Sequence, residues 1–373
     1  MLWSKTNRIE ALFNHEIPDQ VPIFECLLHD GALEHFGGKK IEPNDAEGFI
    51  KGAAKCLDVS HPAWLPEVSR VEEDSACLNR LKKSGTVIYG KWGFYPGFVR
   101  KYEKWTNWVT EFPFNNEDKC AEWINEQIEI EESLLNDDSF VKNYCRRIEL
   151  IKEWKGNMVY PEIYTMDGFY KNYITIGIEK FSYLYCVYPE LIQKWVKVTN
   201  ERILRKIEVK LHYNVSPVAM MWSDLAAKGG LIFPPEMLED LCYPYIEEIV
   251  NLLHSKNIKV IFHSDGDLTK ALYILVDRCK IDGLNTIDVG AGMNVRQLKQ
   301  EYGNRLVLVG GMDANILTYG NKEQVIAGTK ELIDIAGKRG GLCIASSFGE
   351  IGNDMPLENI LAYFDTVWRY GKY

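Results

Sequence analysis

The chain has 373 residues, 46% of them hydrophobic, enough to build one large α/β barrel or two ordinary domains. A formal net charge of −10, from 43 basic against 53 acidic residues, argues against nucleic acid or an anionic membrane as a partner. No apolar run is long enough to span a bilayer, and the first residues lack the apolar core of a signal peptide. The nine cysteines are scattered without a CxxC pair, so a cytoplasmic protein with reduced core thiols is expected.

Taken in order, Ser4 caps a first helix with Ile9, Leu12 and Phe13 on one face, and Pro18-Asp19 stops it. Val21–Phe24 reads as a short strand ending at Glu25. Residues 29–80 read as helical excursions with turns at Gly37-Gly38 and Pro43-Asn44. Thr86–Tyr89 reads as a second strand, and residues 94–113, rich in Trp, Tyr and Lys, as a hairpin excursion. Helices are expected at 117–134 and 138–155, then a third strand over Met158–Tyr164, weakened by Pro161. Two more helices fall at 178–187 and 189–212.

From Val218 the pattern is a regular strand–helix alternation. Val218–Trp222 is a strand ending at Ser223-Asp224, and Pro235 to Ser255 a long amphipathic helix with proline in its first turn. Lys259–His263 runs apolar and β-branched, then turns polar at once through Ser264, Asp265, Gly266 and Asp267. Leu268 to Cys279 follows at helical spacing. Gly283–Ile287 ends at Asp288, Leu306–Gly310 at Asp313, and Leu342–Ala345 at Ser346-Ser347. Helices start at Asn294 and Glu323, and the last covers Pro356 to Tyr370. About eight strands in strand–helix order is the count of a (β/α)8 TIM barrel with N-terminal helical and hairpin insertions. No low-complexity linker divides the chain, so a single domain over 1–373 is expected; an open doubly wound sheet is the alternative.

In parallel α/β folds ligands bind beyond the carboxyl ends of the strands. His263 and Asp265 sit there two residues apart, so their side chains leave one face. They are candidates for metal ligation or acid–base work, with Asp224 at the end of the preceding strand as a base or substrate contact. Glu25, Glu162, Tyr164, Asn285 and Asp288 are expected to touch substrate on the same argument, and Asp313 ends a strand in the same way. Each also has a plain alternative: a hydrogen-bonded strand-end histidine, helix caps, solvated loop acids.

The ordered motifs resemble the uroporphyrinogen decarboxylase superfamily, in its corrinoid-dependent methyltransferase branch. They are Ile17-Pro18-Asp19-Gln20-Val21-Pro22, Lys91-Trp92-Gly93, Ser223-Asp224 through Gly230 with Pro234-Pro235-Glu236, His263-Ser264-Asp265-Gly266, Gly290-Ala291-Gly292-Met293, Gly310-Gly311-Met312-Asp313 and Pro356-Leu357-Glu358-Asn359. The resemblance implies a (β/α)8 barrel. The family's arginine-rich N-terminal motif is replaced here by Phe24-Glu25-Cys26-Leu27-Leu28-His29-Asp30, a poor match for a polycarboxylate substrate. The thiol-activating members hold zinc through His-x-Cys and a late cysteine. Here the first is His263-Ser264-Asp265, and the second falls near Phe348-Gly349-Glu350. The resemblance therefore implies a remodelled zinc site of His263, Asp265 and Glu350, an oxygen-rich set zinc accepts. Such a site suits an ether oxygen. The expectation is a methyltransferase that takes a methyl group from a methoxylated, possibly aromatic, small molecule to the corrinoid of a separate protein. A metal-free decarboxylase and a non-catalytic tetrapyrrole or corrinoid binder are the alternatives.

Overall fold

The computed structural model describes residues 3–41, 45–60, 86–88, 98–103, 106–214 and 216–373. Among these described residues eight parallel strands form a ring: β1 (Phe24–Leu27), β2 (Val59–Ser60), β3 (Tyr164–Met166), β4 (Val218–Trp222), β5 (Lys259–His263), β6 (Gly283–Asn285), β7 (Val307–Met312) and β8 (Leu342–Ser346). Strands β3 to β8 make one continuous sheet in sequence order, and β1 pairs with β2. Single parallel bridges close the ring, Ile23 just before β1 to Ile344 in the middle of β8, and Val59 of β2 to Val159 on the approach to β3. The fold is thus a (β/α)8 TIM barrel, and the open-sheet alternative is excluded.

The strands read as near-continuous apolar runs because helices cover the outside while side chains fill the inside. Alternate residues point inward: Phe24, Val59, Val218, Met220, Ile261, Val307, Val309, Cys343 and Ala345 share one buried cluster. The first helix, Lys5–Phe13, joins that cluster through Ile9, Leu12 and Phe13 and so stops the amino-terminal end of the barrel. Ser4 caps it, its hydroxyl accepting from Asn7 N at 3.1 Å. A Cβ on Gly283 would sit 3.0 Å from the Phe13 ring, so the plug needs the bare backbone at that point of β6.

The early strands depart from expectation. Thr86–Ile88 does form a strand, but it pairs antiparallel with Val99–Glu103, which in turn pairs with Thr106–Glu111. It belongs to the hairpin excursion and not to the ring. The second barrel strand is Val59–Ser60, inside the stretch expected to be helical excursions. Strand β3 starts at Tyr164, where the long run Met158–Tyr164 had suggested it would end, and Gly168–Ile176 is a helix absent from the sequence reading. The long helix expected at 235–255 breaks at Cys242 into Pro235–Leu241 and Tyr243–His254, with Pro244 in the first turn of the second piece. The turn at Gly38 is observed in the left-handed region, whereas Pro43-Asn44 and residues 61–85 lie outside the described residues. Among the described residues the eight cysteines are free, and no helix is long and apolar enough to cross a membrane.

Candidate active site at the carboxyl mouth of the barrel

Parallel register builds the site's floor. His263 pairs across to Trp222 on one side and to Asn285 on the other, so the last residues of β4, β5 and β6 form one row. His263 stands two residues beyond the inward-facing Ile261, and thus faces the barrel axis just above the core. It is 2% exposed. Its Nδ1 lies 2.7 Å from Asn285 Oδ1. The Asn285 amide donates through Nδ2 to Val309 O at 3.0 Å, which fixes which end of that amide is oxygen. His263 must therefore donate from Nδ1, and in the neutral ring the lone pair is on Nε2, aimed at the mouth. Trp222 stacks on the imidazole, with ring centroids 3.7 Å apart and planes 15° from parallel.

Two carboxylates meet that lone pair. Asp224 and Asp265 each follow the end of their strand by two residues, on neighbouring strands. Asp224 Oδ1 is 3.8 Å and Asp265 Oδ1 3.7 Å from His263 Nε2. The two loops touch closely: Asp265 N donates to Asp224 Oδ1 at 3.4 Å, and Leu225 N donates to Ser264 Oγ at 3.0 Å. Gly266 has φ +83° and a Cβ there would lie 2.5 Å from the Ala226 carbonyl carbon, so the crossing requires glycine. Asp224 is also gripped from the helix Gly168–Ile176. Tyr170 Oη donates to its Oδ2 at 2.8 Å, and Tyr173 Oη donates to its backbone carbonyl.

The electrostatics are those of crowded negative charge. The Asp265 side chain is half exposed, and its carboxyl is raised above the usual carboxylate range by partial desolvation and by the nearby Asp224 and Asp288, against the opposing pull of His263 and a Thr286 hydrogen bond. A cation or a proton at this point relieves that crowding. One ligand atom from each of Asp224, His263 and Asp265 lies within 4.8 Å of the others, the one such trio among the described residues. Ligands bound tetrahedrally at about 2.0–2.2 Å to a common zinc ion sit about 3.3–3.6 Å apart, so separations of 3.7 and 3.8 Å need only a small inward movement. The residues present fit a zinc-like ion.

The remaining expected residues divide. Tyr164 lies on the inner side of β3 with its ring 5.7 Å from Trp222, adding to the aromatic wall. Asn285 acts on His263 instead of facing the mouth. Asp288 caps a short turn, accepting from Ala291 N at 2.9 Å, and its charge reaches Asp265. Glu25 is not at the mouth. With β1 starting at Phe24, which faces inward, Glu25 turns outward, fully buried, and accepts from Ser346 N at 2.8 Å and Tyr363 Oη at 3.0 Å. Burial pushes its carboxyl up to about 8. Glu162 precedes β3 and accepts from Ser216 N at 3.1 Å. Ser216 precedes β4, so Glu162 lies at the amino end of the barrel, opposite Asp224. Glu350 is an exposed residue on a two-residue strand beside β1 and is not in the trio; Asp224 takes the place expected for it. Asp313 caps the helix Ala314–Tyr319. Sequence reasoning missed Trp222, Tyr170 and Tyr173; an aromatic ending a barrel strand beside the histidine strand was the available signal.

Residues 174–370 match the family described as uroporphyrinogen decarboxylase (URO-D), more than half of the chain. The chain belongs to that family. No curated protein sequence matches it. Among solved structures it is similar to a methyltransferase from Methanosarcina mazei, with 15% identity, 99% of each chain covered and a TM-score of 0.66. The two share a fold.

Proposed function

We propose that this chain is a methyltransferase that moves a methyl group from a methoxylated small molecule to the corrinoid of a separate protein. The observation that carries the reading is the convergence of Asp224, His263 and Asp265 at the barrel mouth, an oxygen-rich trio with one nitrogen. The methyltransferase with the same fold supports it. His263 Nε2, Asp224 and Asp265 would hold a zinc ion. When bound, that ion would draw electron density from an ether oxygen and make it a better leaving group. Hard oxygen ligands suit that task, where soft thiolates suit a thiol.

The chain's own residues supply the rest. Asn285 holds the His263 tautomer so that Nε2 stays unprotonated. Trp222, Tyr164 and Tyr170 offer flat apolar surface beside the polar trio, which suits an aromatic methyl donor and keeps bulk water from its ring. The transfer breaks an oxygen–methyl bond, passes the methyl to the corrinoid and returns one proton to the oxygen. A second reading is a metal-free decarboxylase in which Asp265, whose carboxyl is raised above the usual range, would act as the acid.

The test is demethylation of a panel of methoxyaromatic compounds with a reduced corrinoid protein, alongside metal analysis of the purified chain. Methyl transfer that falls at least a hundredfold in His263→Ala, with metal content, supports the proposal. Carbon dioxide release from a carboxylated substrate without any corrinoid protein supports the second reading, and unchanged transfer in His263→Ala removes that residue from the site.

A further inference from the structure

Asp224 is held at three different atoms. Its backbone carbonyl accepts from Tyr173 Oη, its Oδ2 accepts from Tyr170 Oη at 2.8 Å, and its Oδ1 accepts from Asp265 N at 3.4 Å and is the oxygen turned to His263 Nε2 at 3.8 Å. The two tyrosines stand three residues apart on one helix and so share a face. That helix is anchored by Asp167, whose Oδ1 accepts from Tyr170 N at 2.9 Å. A phenol buried against a carboxylate can only be the donor.

We propose that Tyr170 is a positioning residue that occupies Asp224 Oδ2 and so makes Asp224 a one-oxygen ligand, with Oδ1 alone offered toward His263 and Asp265. The inference rests on the metal reading given above. A carboxylate free to turn can present both oxygens, which suits large ions of high coordination number. One pinned at Oδ2 offers a single oxygen, which suits a small ion with four ligands and a position left open for substrate.

The hydrogen-bond logic gives a test that a merely structural tyrosine would not pass. In Asp224→Asn the Tyr170 hydroxyl still needs an acceptor, so it takes the amide oxygen and turns the NH2 group toward His263. An amide NH2 does not ligate. In Tyr170→Phe/Asp224→Asn the amide is free to flip and presents oxygen. Cobalt(II) alone is titrated into the full-length metal-free chain and followed by its visible absorption. The expected order of affinity is wild type, then the double variant, then Asp224→Asn, with the double variant at least tenfold tighter than the single. Tyr173→Phe/Asp224→Asn shows no such recovery, because Tyr173 bonds only the backbone carbonyl. In Tyr170→Phe alone, which keeps the carboxylate, the cobalt absorption per ion falls as a second oxygen joins; this readout stands even if the Asn variants fold poorly. A double variant no tighter than Asp224→Asn, with an unchanged spectrum in Tyr170→Phe, overturns the inference while leaving the metal reading intact. A wild-type chain that binds no cobalt overturns both.

Discussion

Replacing Asn285 with alanine tests the logic of the site at its support. Asn285 is fully buried, and its side chain makes two hydrogen bonds, at 2.7 Å to His263 Nδ1 and 3.0 Å to Val309 O. Truncation orphans the His263 N–H in a place where it is 2% exposed, at a cost of about 1–3 kcal/mol. The lost bond to Val309 adds about 1 kcal/mol, giving a destabilisation of about 2–4 kcal/mol. The imidazole is then free to put its proton on Nε2, the atom that faces Asp224 and Asp265. Losing the group that orients a metal-ligating histidine weakens metal binding by about 10–100-fold. Urea unfolding gives the first quantity and cobalt titration of the metal-free chain the second. A stability change under about 0.5 kcal/mol with unaltered affinity would show that Asn285 does not set the tautomer.

Three further outcomes follow from the geometry. Gly349 has φ +72°, and a Cβ there would come within 2.9 Å of both His263 Cε1 and Thr286 Cγ2; Gly349→Ala is expected to cost about 1–2 kcal/mol from the left-handed backbone alone and to weaken cobalt binding, whereas Gly352→Ala, on the same loop but away from His263, should leave binding unchanged. Glu25 holds its proton to about pH 8 when folded and loses it near pH 4.5 when unfolded, so the folded state binds more protons between those values and stability should fall as pH rises through that window, by up to about 1.4 kcal/mol per unit. Glu25→Gln removes a titrating group while keeping an acceptor for Ser346 N and Tyr363 Oη, so melting temperatures measured from pH 5 to 8.5 should lose that slope; an identical slope in the variant would refute the assignment. Because Trp222 stacks directly on His263, metal addition should change its fluorescence, and Trp222→Phe should abolish most of the metal-dependent signal of the whole chain.

How legible these features were in sequence depends on what the local pattern encodes. Strands β4, β5 and β8 were readable because each is a run of buried apolar residues cut off by polar turn residues, and a parallel strand needs little else. His263 and Asp265 came with them, since strand ends in a barrel converge on one face. Val59–Ser60 follows directly on the helix Ala46–Cys56 and was read as part of a helical stretch, while the β-branched Thr86-Val87-Ile88 drew the assignment to a strand that pairs elsewhere. The helix Gly168–Ile176 opens on glycine and is dense in aromatic and β-branched residues, all modest helix formers, so packing and the Asp167 cap decide it. Missing that helix meant missing Tyr170 and Tyr173. Glu25 and Glu162 were misplaced by the limits of strands: moving the start of β1 by a few residues turns Glu25 from tip to outward face, and moving the start of β3 puts Glu162 at the opposite end of the barrel.

The most direct measurement is a crystal structure of the chain grown with zinc, with diffraction recorded on both sides of the zinc absorption edge. One strong anomalous peak is expected about 2.0–2.2 Å from His263 Nε2 and from single oxygens of Asp224 and Asp265. A mouth with no peak at those three side chains, or His263 turned so that Nδ1 and not Nε2 faces Asp224 and Asp265, would contradict that expectation.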